Sequence, residues 1–419
     1  MQNVELRIMK YDFLKLALTL VGVILICQAC QTEPLPVAPV FLPSPTQTLA
    51  ENYPTRVPTR TPLPTSTIRP SPIPLTATPV KLIPGLLPVL PTQPPSLPGG
   101  INPLTGLPPA DPQFLDRRPI LVKVSNYPRT GRPHAGLSFA DIVFEYYIGE
   151  FTNRFSALYY GQYPPKSGPI RSGRLVDAQL TNMYGGILVY GNADPVVEEV
   201  LIRSLGDRQL ASKNMPCPPV CYEGAATVTN LFADVQKVEE YITRRNINNS
   251  RPDLSGMFFD IIPPKSNEFA VSISMEYAWF NRGEWRYDPE KQIYNRWIEE
   301  VDTNNKVSMV PLVDRLTNKQ LAVSNLILLF ATYKEFKPTL HDVDFSTNQS
   351  GKRAIVFRDA VAIDGLWKFV DSHRPIQFFT RSGSPIPLRP GNTWIIIVGD
   401  KTSLQQPSPG QWEAKFGLP

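Results

Sequence analysis

The apolar positions of this chain change spacing along its length, and each spacing predicts a different kind of element. From Leu16 to Cys27 they dominate behind Lys10 and Lys15, broken only by Thr19 and Gly22, a stretch too short to span a bilayer comfortably, with the charged lead and apolar middle of a secretory signal. From 31 to 100 no window has a helical or strand period. This segment holds 19 of the 46 prolines, which neither complete a strand ladder nor continue a helix, so it predicts a disordered Pro/Thr-rich tether. Stretched out, such a tether reaches on the order of 200 Å.

Past residue 100 the pattern becomes globular. In 101–265, "PILVKVS", "ADIVFEYYI", "RFSALYYG" and "GILVYG" have the branched and aromatic content of strands. Between and after them, "VDAQLTNMY", "DPVVEEVLIRSL" and "TNLFADVQKVEEYITRR" have three-to-four spacing. In the last, Thr229 or Asn230 is expected to cap a helix whose buried stripe is Phe232, Val235, Val238 and Ile242. In 266–400 helical spacing gives way to short strands such as "AVSISM", "SNLILLFATY" and "NTWIIIV", with "DPEK" and "RSGSPIPL" as turns. The expected fold is α+β: a mixed α/β domain, then a mainly β domain, with 401–419 as a tail.

Charge narrows the functions open to this body. The chain is formally +5, but 35 of its 42 basic and 33 of its 37 acidic residues lie in 101–419. That near balance gives no polyanion field, and nucleic acid is not an expected partner. Of three histidines, none stands at ligand spacing to another, so neither metal nor cofactor is expected.

The signal-like run ends in "CQAC", where the small Ala29 before Cys30 resembles the lipobox of bacterial lipoproteins. Lipidation is then expected at Cys30, with residues 1–30 as the signal; an uncleaved signal anchor or a secreted chain is the alternative. Met9 makes a more ordinary start than Met1 for such a signal. With Cys30 lipidated, Cys217 and Cys221 in "CPPVC" are left as a pair in an oxidising compartment, where a small disulfide loop is the natural outcome.

Several motifs resemble a known family. "NPLTGLP", "RPILVKVSNYPRTGRPHAGLSFADIVFEYYIGEFTNRFSALY", "GPIRSGR" and "IDGLWKF…PIQFFTRSGSPIPLRPGNTWIIIV" together are similar to the YerB-like bacterial lipoproteins, over roughly 101–399 and in the same order. The resemblance implies two adjoining envelope domains of unassigned function and a lipid anchor on the outer face of the cytoplasmic membrane. This chain has "VYGNADP" where a His-containing strand end is expected, so no catalytic role for that His carries over.

The residues offer several chemistries. "GPIRSGR" runs into a predicted helix, so Arg171, Ser172 and Arg174 suit an anion, from wall polymer or envelope protein. The same arginines could instead clasp the internal carboxylates Asp141 and Glu145. A turn around "IGEF" sets Glu145 opposite Arg154 as a cross-strand pair. Nucleophilic catalysis is poorly supported, for no base is marked out and "G-x-S-x-G" is absent. A carboxylate pair drawn from Asp141, Glu145, Glu150 and Asp194 keeps a glycan or peptidoglycan hydrolase open as the alternative. Trp279, Trp285, Tyr287, Tyr294 and Trp297, with Arg282, Arg286 and Arg296, either stack on sugars or fill a β core. The leading expectation is a binding or assembly module near the wall rather than an enzyme.

Overall fold

A computed structural model describes residues 99–418. The signal-like segment, Cys30 and the tether through residue 98 lie outside the described residues. The described chain is β-rich, with three α-helices: α1 (Leu175–Met183), α2 (Pro195–Leu205) and α3 (Val235–Arg244). The first part supplies β1 (Ile120–Ser125), β2 (Ile142–Gly149), β3 (Thr152–Tyr159), β4 (Ile187–Tyr190), β5 (Gln209–Ala211), β6 (Val220–Tyr222) and β7 (Leu231–Ala233). The second opens with β8 (Ala270–Ala278), β9 (Asn281–Asp288), β10 (Ile293–Val301) and β11 (Val307–Pro311). Short strands β12 (Val313–Asp314), β13 (Lys319–Gln320) and β14 (Ala322–Val323) lead to β15 (Asn325–Lys337) and β16 (Leu340–Asp344). Then come β17 (Lys352–Arg358), β18 (Val361–Lys368), β19 (Gln377–Thr380), β20 (Thr393–Gly399), β21 (Ser403–Ser408) and β22 (Gly410–Lys415).

Both halves contribute to one large sheet, ordered β19-β18-β17-β15-β20-β2-β3-β1-β4-β5, with β16 paired to β15. The junction is β20 lying parallel to both β2 and β15, with Glu145 opposite Ile396. These central strands are covered on both faces, which is why β2 and β20 are buried at every position. On one face lie Lys123 and Tyr146, which meet Asp177 of α1. On the other lie Glu145 and Trp394, which meet Arg296 of a second sheet ordered β11-β10-β9-β8-β22-β21. Strands of that sheet alternate buried and open positions, as one solvated face requires.

Three details differ from the pattern-based expectation. Tyr147 pairs with Asn153 and Gly149 with Thr152, so Ile148 is an extra residue, and Arg154 stands opposite Tyr146 while Glu145 stands opposite Phe155. A single-residue bulge reverses which face a side chain takes, and Glu145 and Arg154 therefore point to opposite faces of the sheet. Helix α3 begins at Val235, capped by Asp234 accepting from the Lys237 amide, and Phe232 belongs to β7 opposite Cys221. Residues 403–415, expected within a tail, form the β21–β22 hairpin. Its β22 lies parallel to β8, and the Trp412 indole donates to the Phe269 carbonyl at 2.8 Å.

Candidate functional site

The two carboxylates singled out from sequence are both occupied by the fold. Asp141 accepts from the Asn102 amide at 2.6 Å and from the Tyr160 and Gly161 backbone at 2.6 and 3.1 Å. Burial lifts it to about 6 against those donors. This ties "NPLTGLP" to the end of β3. Glu145 accepts from Asn153, from the Trp394 indole at 2.8 Å and from Arg296 at 3.4 Å, with Arg296 only 2% exposed. Neither carboxylate is held by Arg171 or Arg174, so the expected clasp is not made.

Those two arginines have no carboxylate within 4.0 Å among the described residues, and neither has Arg154. The loop that carries them is pinned rather than loose. The Ile170 amide donates to Leu231 at 2.6 Å, the Arg171 amide to Lys123 at 3.0 Å and the Gly173 amide to Asn192 at 2.8 Å. Gly173 permits this approach, because a Cβ there would come within 2.9 Å of Leu201 and 3.2 Å of Tyr190. The Nε atoms of Arg171 and Arg174 are buried without an acceptor. Arg154, 7% exposed, donates to the Ser172 carbonyl at 3.0 Å. Burial and the charges of Arg174 and Arg171 push it down to about 9, still protonated at neutral pH.

Beneath them lies a fourth cation that the sequence reading passed over. Lys123 is fully buried, bonded to the Tyr146 hydroxyl, which in turn donates to Asp177. Its ammonium lies 3.5 Å from that carboxylate. Burial lowers Lys123 to about 7, with Arg154 and Arg174 acting in the same direction. A lysine amid the apolar "ILVKVS" was the available signal, since such a strand has no open face for it. Asp177, in the first turn of α1, also accepts from the Arg174 amide at 2.7 Å. Its negative charge already sits at the helix start, so the side chains, more than the helix dipole, carry the positive field.

Arg171 and Ser172 line a cavity of about 670 Å³ together with Gly191, Asn192, Ser212 and Lys213. These last four directly follow β4 and β5, which run parallel to β1 and to each other. The cavity therefore opens at the carboxyl ends of parallel strands, where ligands enter open α/β sheets. Its far wall includes Cys217, which is joined to Cys221 in a disulfide.

The other candidates disperse. Glu150 occupies the exposed β2–β3 turn with φ 50°, and Asp194 caps α2 by accepting from the Val196 amide at 3.0 Å. Trp285 and Tyr294 are core residues, whereas Trp279 is 53% exposed at the β8–β9 turn. Trp297 takes the open face with the Arg286 guanidinium 4.0 Å from its ring centre. Arg286 pairs with Glu284 at 2.8 Å and Arg282 with Glu276. The aromatic run is thus divided between two faces and a turn, and makes no single stacking platform.

Two family models match successive parts of the chain. "Protein of unknown function (DUF3048) N-terminal domain" covers residues 104–248, and the corresponding C-terminal domain covers 273–395. The chain belongs to the DUF3048 family. YerB of Bacillus subtilis (strain 168), which carries the name of a proposed lipoprotein, is similar to this DUF3048 chain. The two are 26% identical over 312 residues, 71% of this chain and 86% of YerB. A crystal structure of the Bacillus subtilis YerB protein superposes with a TM-score of 0.60 at 25% identity, over 71% of this chain and 96% of that one. The motif order read from sequence is thus that of the DUF3048 pair. No helix among the described residues is long and apolar enough to cross a membrane.

One titrating group near the DUF3048 sheet junction gives a stability prediction. His134 is buried beside Phe155, bonds to the Ser125 carbonyl at 2.7 Å and is pushed down to about 3 by burial and by Arg132. The unfolded chain takes up this proton near pH 6.5, and the native chain does so only near 3. Its stabilisation is therefore complete above about 6.5 and lost as pH falls. The stability gap between wild type and His134→Gln is expected to shrink by on the order of 3 kcal/mol between about pH 7 and about pH 4. Urea melts at both pH values check this; a gap independent of pH would rule it out.

Proposed function

We propose that this DUF3048 protein is exported, anchored through a lipid at Cys30 on the outer face of the cytoplasmic membrane, and binds an anionic component of the cell wall. The observation that carries this reading is three guanidinium groups, Arg154, Arg171 and Arg174, with no carboxylate within 4.0 Å among the described residues, gathered at the carboxyl ends of parallel strands. Uncompensated buried charge costs several kcal/mol and is ordinarily paired, so a cluster left open is supported by a ligand that completes it. The hydrolase reading has less support, because Asp141 and Glu145 each already accept three hydrogen bonds from the fold.

The test is co-sedimentation of the full chain, in detergent, with isolated cell walls. Binding is expected at low salt, with release at moderate salt or on adding inorganic phosphate, because a screened or occupied cationic site no longer holds the polymer. Wall binding indifferent to both, or absent throughout, would remove the proposal.

A further inference from the structure

We infer that the ligand of this cavity is an organic phosphate, whose dianionic group meets Arg171, the member of the Arg154–Arg171–Arg174 cluster that lines the cavity, while an apolar body rests on the disulfide-bearing wall. The inference rests on the anion-binding reading above and adds two features to it.

The first is charge. Lys123, Arg154, Arg171 and Arg174 are neighbouring like charges, and among the described residues the one carboxylate within 4.0 Å of any of them is Asp177, beside Lys123. The excess is three positive charges with Lys123 protonated and two with it neutral. A carboxylate ligand neutralises one of these; a phosphate monoester dianion neutralises two and offers three acceptor oxygens to guanidinium forks. Ser172 and Lys213 line the same cavity, the Ser172 hydroxyl donating to Asn192 and the Lys213 ammonium paired with Glu198.

The second is the apolar lining. Residues 215–231 contribute Met215, Val220, Tyr222 and Val228, with Cys217, and Leu231 lies beside Ile170. Val228 is 58% exposed and Tyr222 49%. Bare phosphate fills a small part of about 670 Å³ and leaves this wall wet, whereas small-molecule sites of such size pair a few polar groups with an apolar lining. Val228 and Tyr222 therefore become covered by the ligand's own body, and no bond is made or broken in the process.

The experiment is calorimetric titration of the full chain with inorganic phosphate, phenyl phosphate and benzoate. Phenyl phosphate is expected to bind about tenfold to a hundredfold more tightly than inorganic phosphate, from burial of its ring, and more tightly than benzoate. In a Tyr222→Ser, Val228→Ser variant, both positions being exposed, the preference for phenyl over inorganic phosphate is expected to fall towards one. Equal affinity for the two phosphates, or a preference that survives the double substitution, overturns the apolar-body inference while leaving anion binding intact. Benzoate binding as well as phenyl phosphate overturns the dianion argument. If none of the three binds, the anion reading itself fails, and this inference fails with it.

Discussion

Replacing Arg296 with alanine is expected to lower the unfolding free energy by about 3–5 kcal/mol. Arg296 lies between the two sheets, its guanidinium 3.7 Å from the Trp285 ring centre and 5.4 Å from that of Trp394, and it bonds to Glu145 at 3.4 Å. Removing it leaves Glu145, 1% exposed, without its cation and opens a void between two indoles. A double replacement, Glu145→Leu with Arg296→Met, is expected to cost less than the sum of the single changes, because no unpaired charge then remains. Urea denaturation of the four proteins closes the cycle; additive losses would mean the pair is not coupled. The site is also sterically closed, since a Cβ on Gly283 would lie 1.9 Å from the Arg296 guanidinium.

The opposite behaviour is expected of Arg171→Ala with Arg174→Ala. Charge-assisted hydrogen bonds are each worth about 1.5–3 kcal/mol, so loss of two should weaken phosphate binding by about a hundredfold or more. Stability should hold or rise. Among the described residues, the Arg174 side chain donates only to the adjacent Gly173 carbonyl, at 3.0 Å, the Arg171 side chain has no acceptor, and both crowd Arg154. Calorimetric titration paired with thermal melts separates the outcomes. A variant that still binds, or one that melts early, would make these arginines part of the scaffold.

The contrast between Arg296 and Arg171 shows how far sequence carried. Both are arginines beside apolar residues, one in "YNRW" and one in "GPIRSG". Local pattern placed the first on a strand and the second in a turn before a helix, and both placements hold. It left undecided which was internally paired. Glu145 is 151 positions away from Arg296, and only the stacking of two sheets joins them. The Glu145 register was misread because the extra residue at Ile148 has no distinct composition. Phe232 was assigned to a helical stripe because its spacing to Val235 also suits a strand followed directly by a helix.

What the sequence by itself determined was local and periodic: the main strands, the three helices to within a few residues, the β-rich second half and the DUF3048 motif order. These follow from side-chain period and turn chemistry, which act over a few residues. The tertiary structure decided the rest: that β20 inserts beside β2 to join both halves in one sheet, and that 403–415 completes the second sheet. It also buries Lys123 under three arginines that have no carboxylate partner among the described residues. Parallel pairing between distant strands and the sharing-out of buried charge depend on which segments meet. That is set by global burial, and no window of sequence contains it.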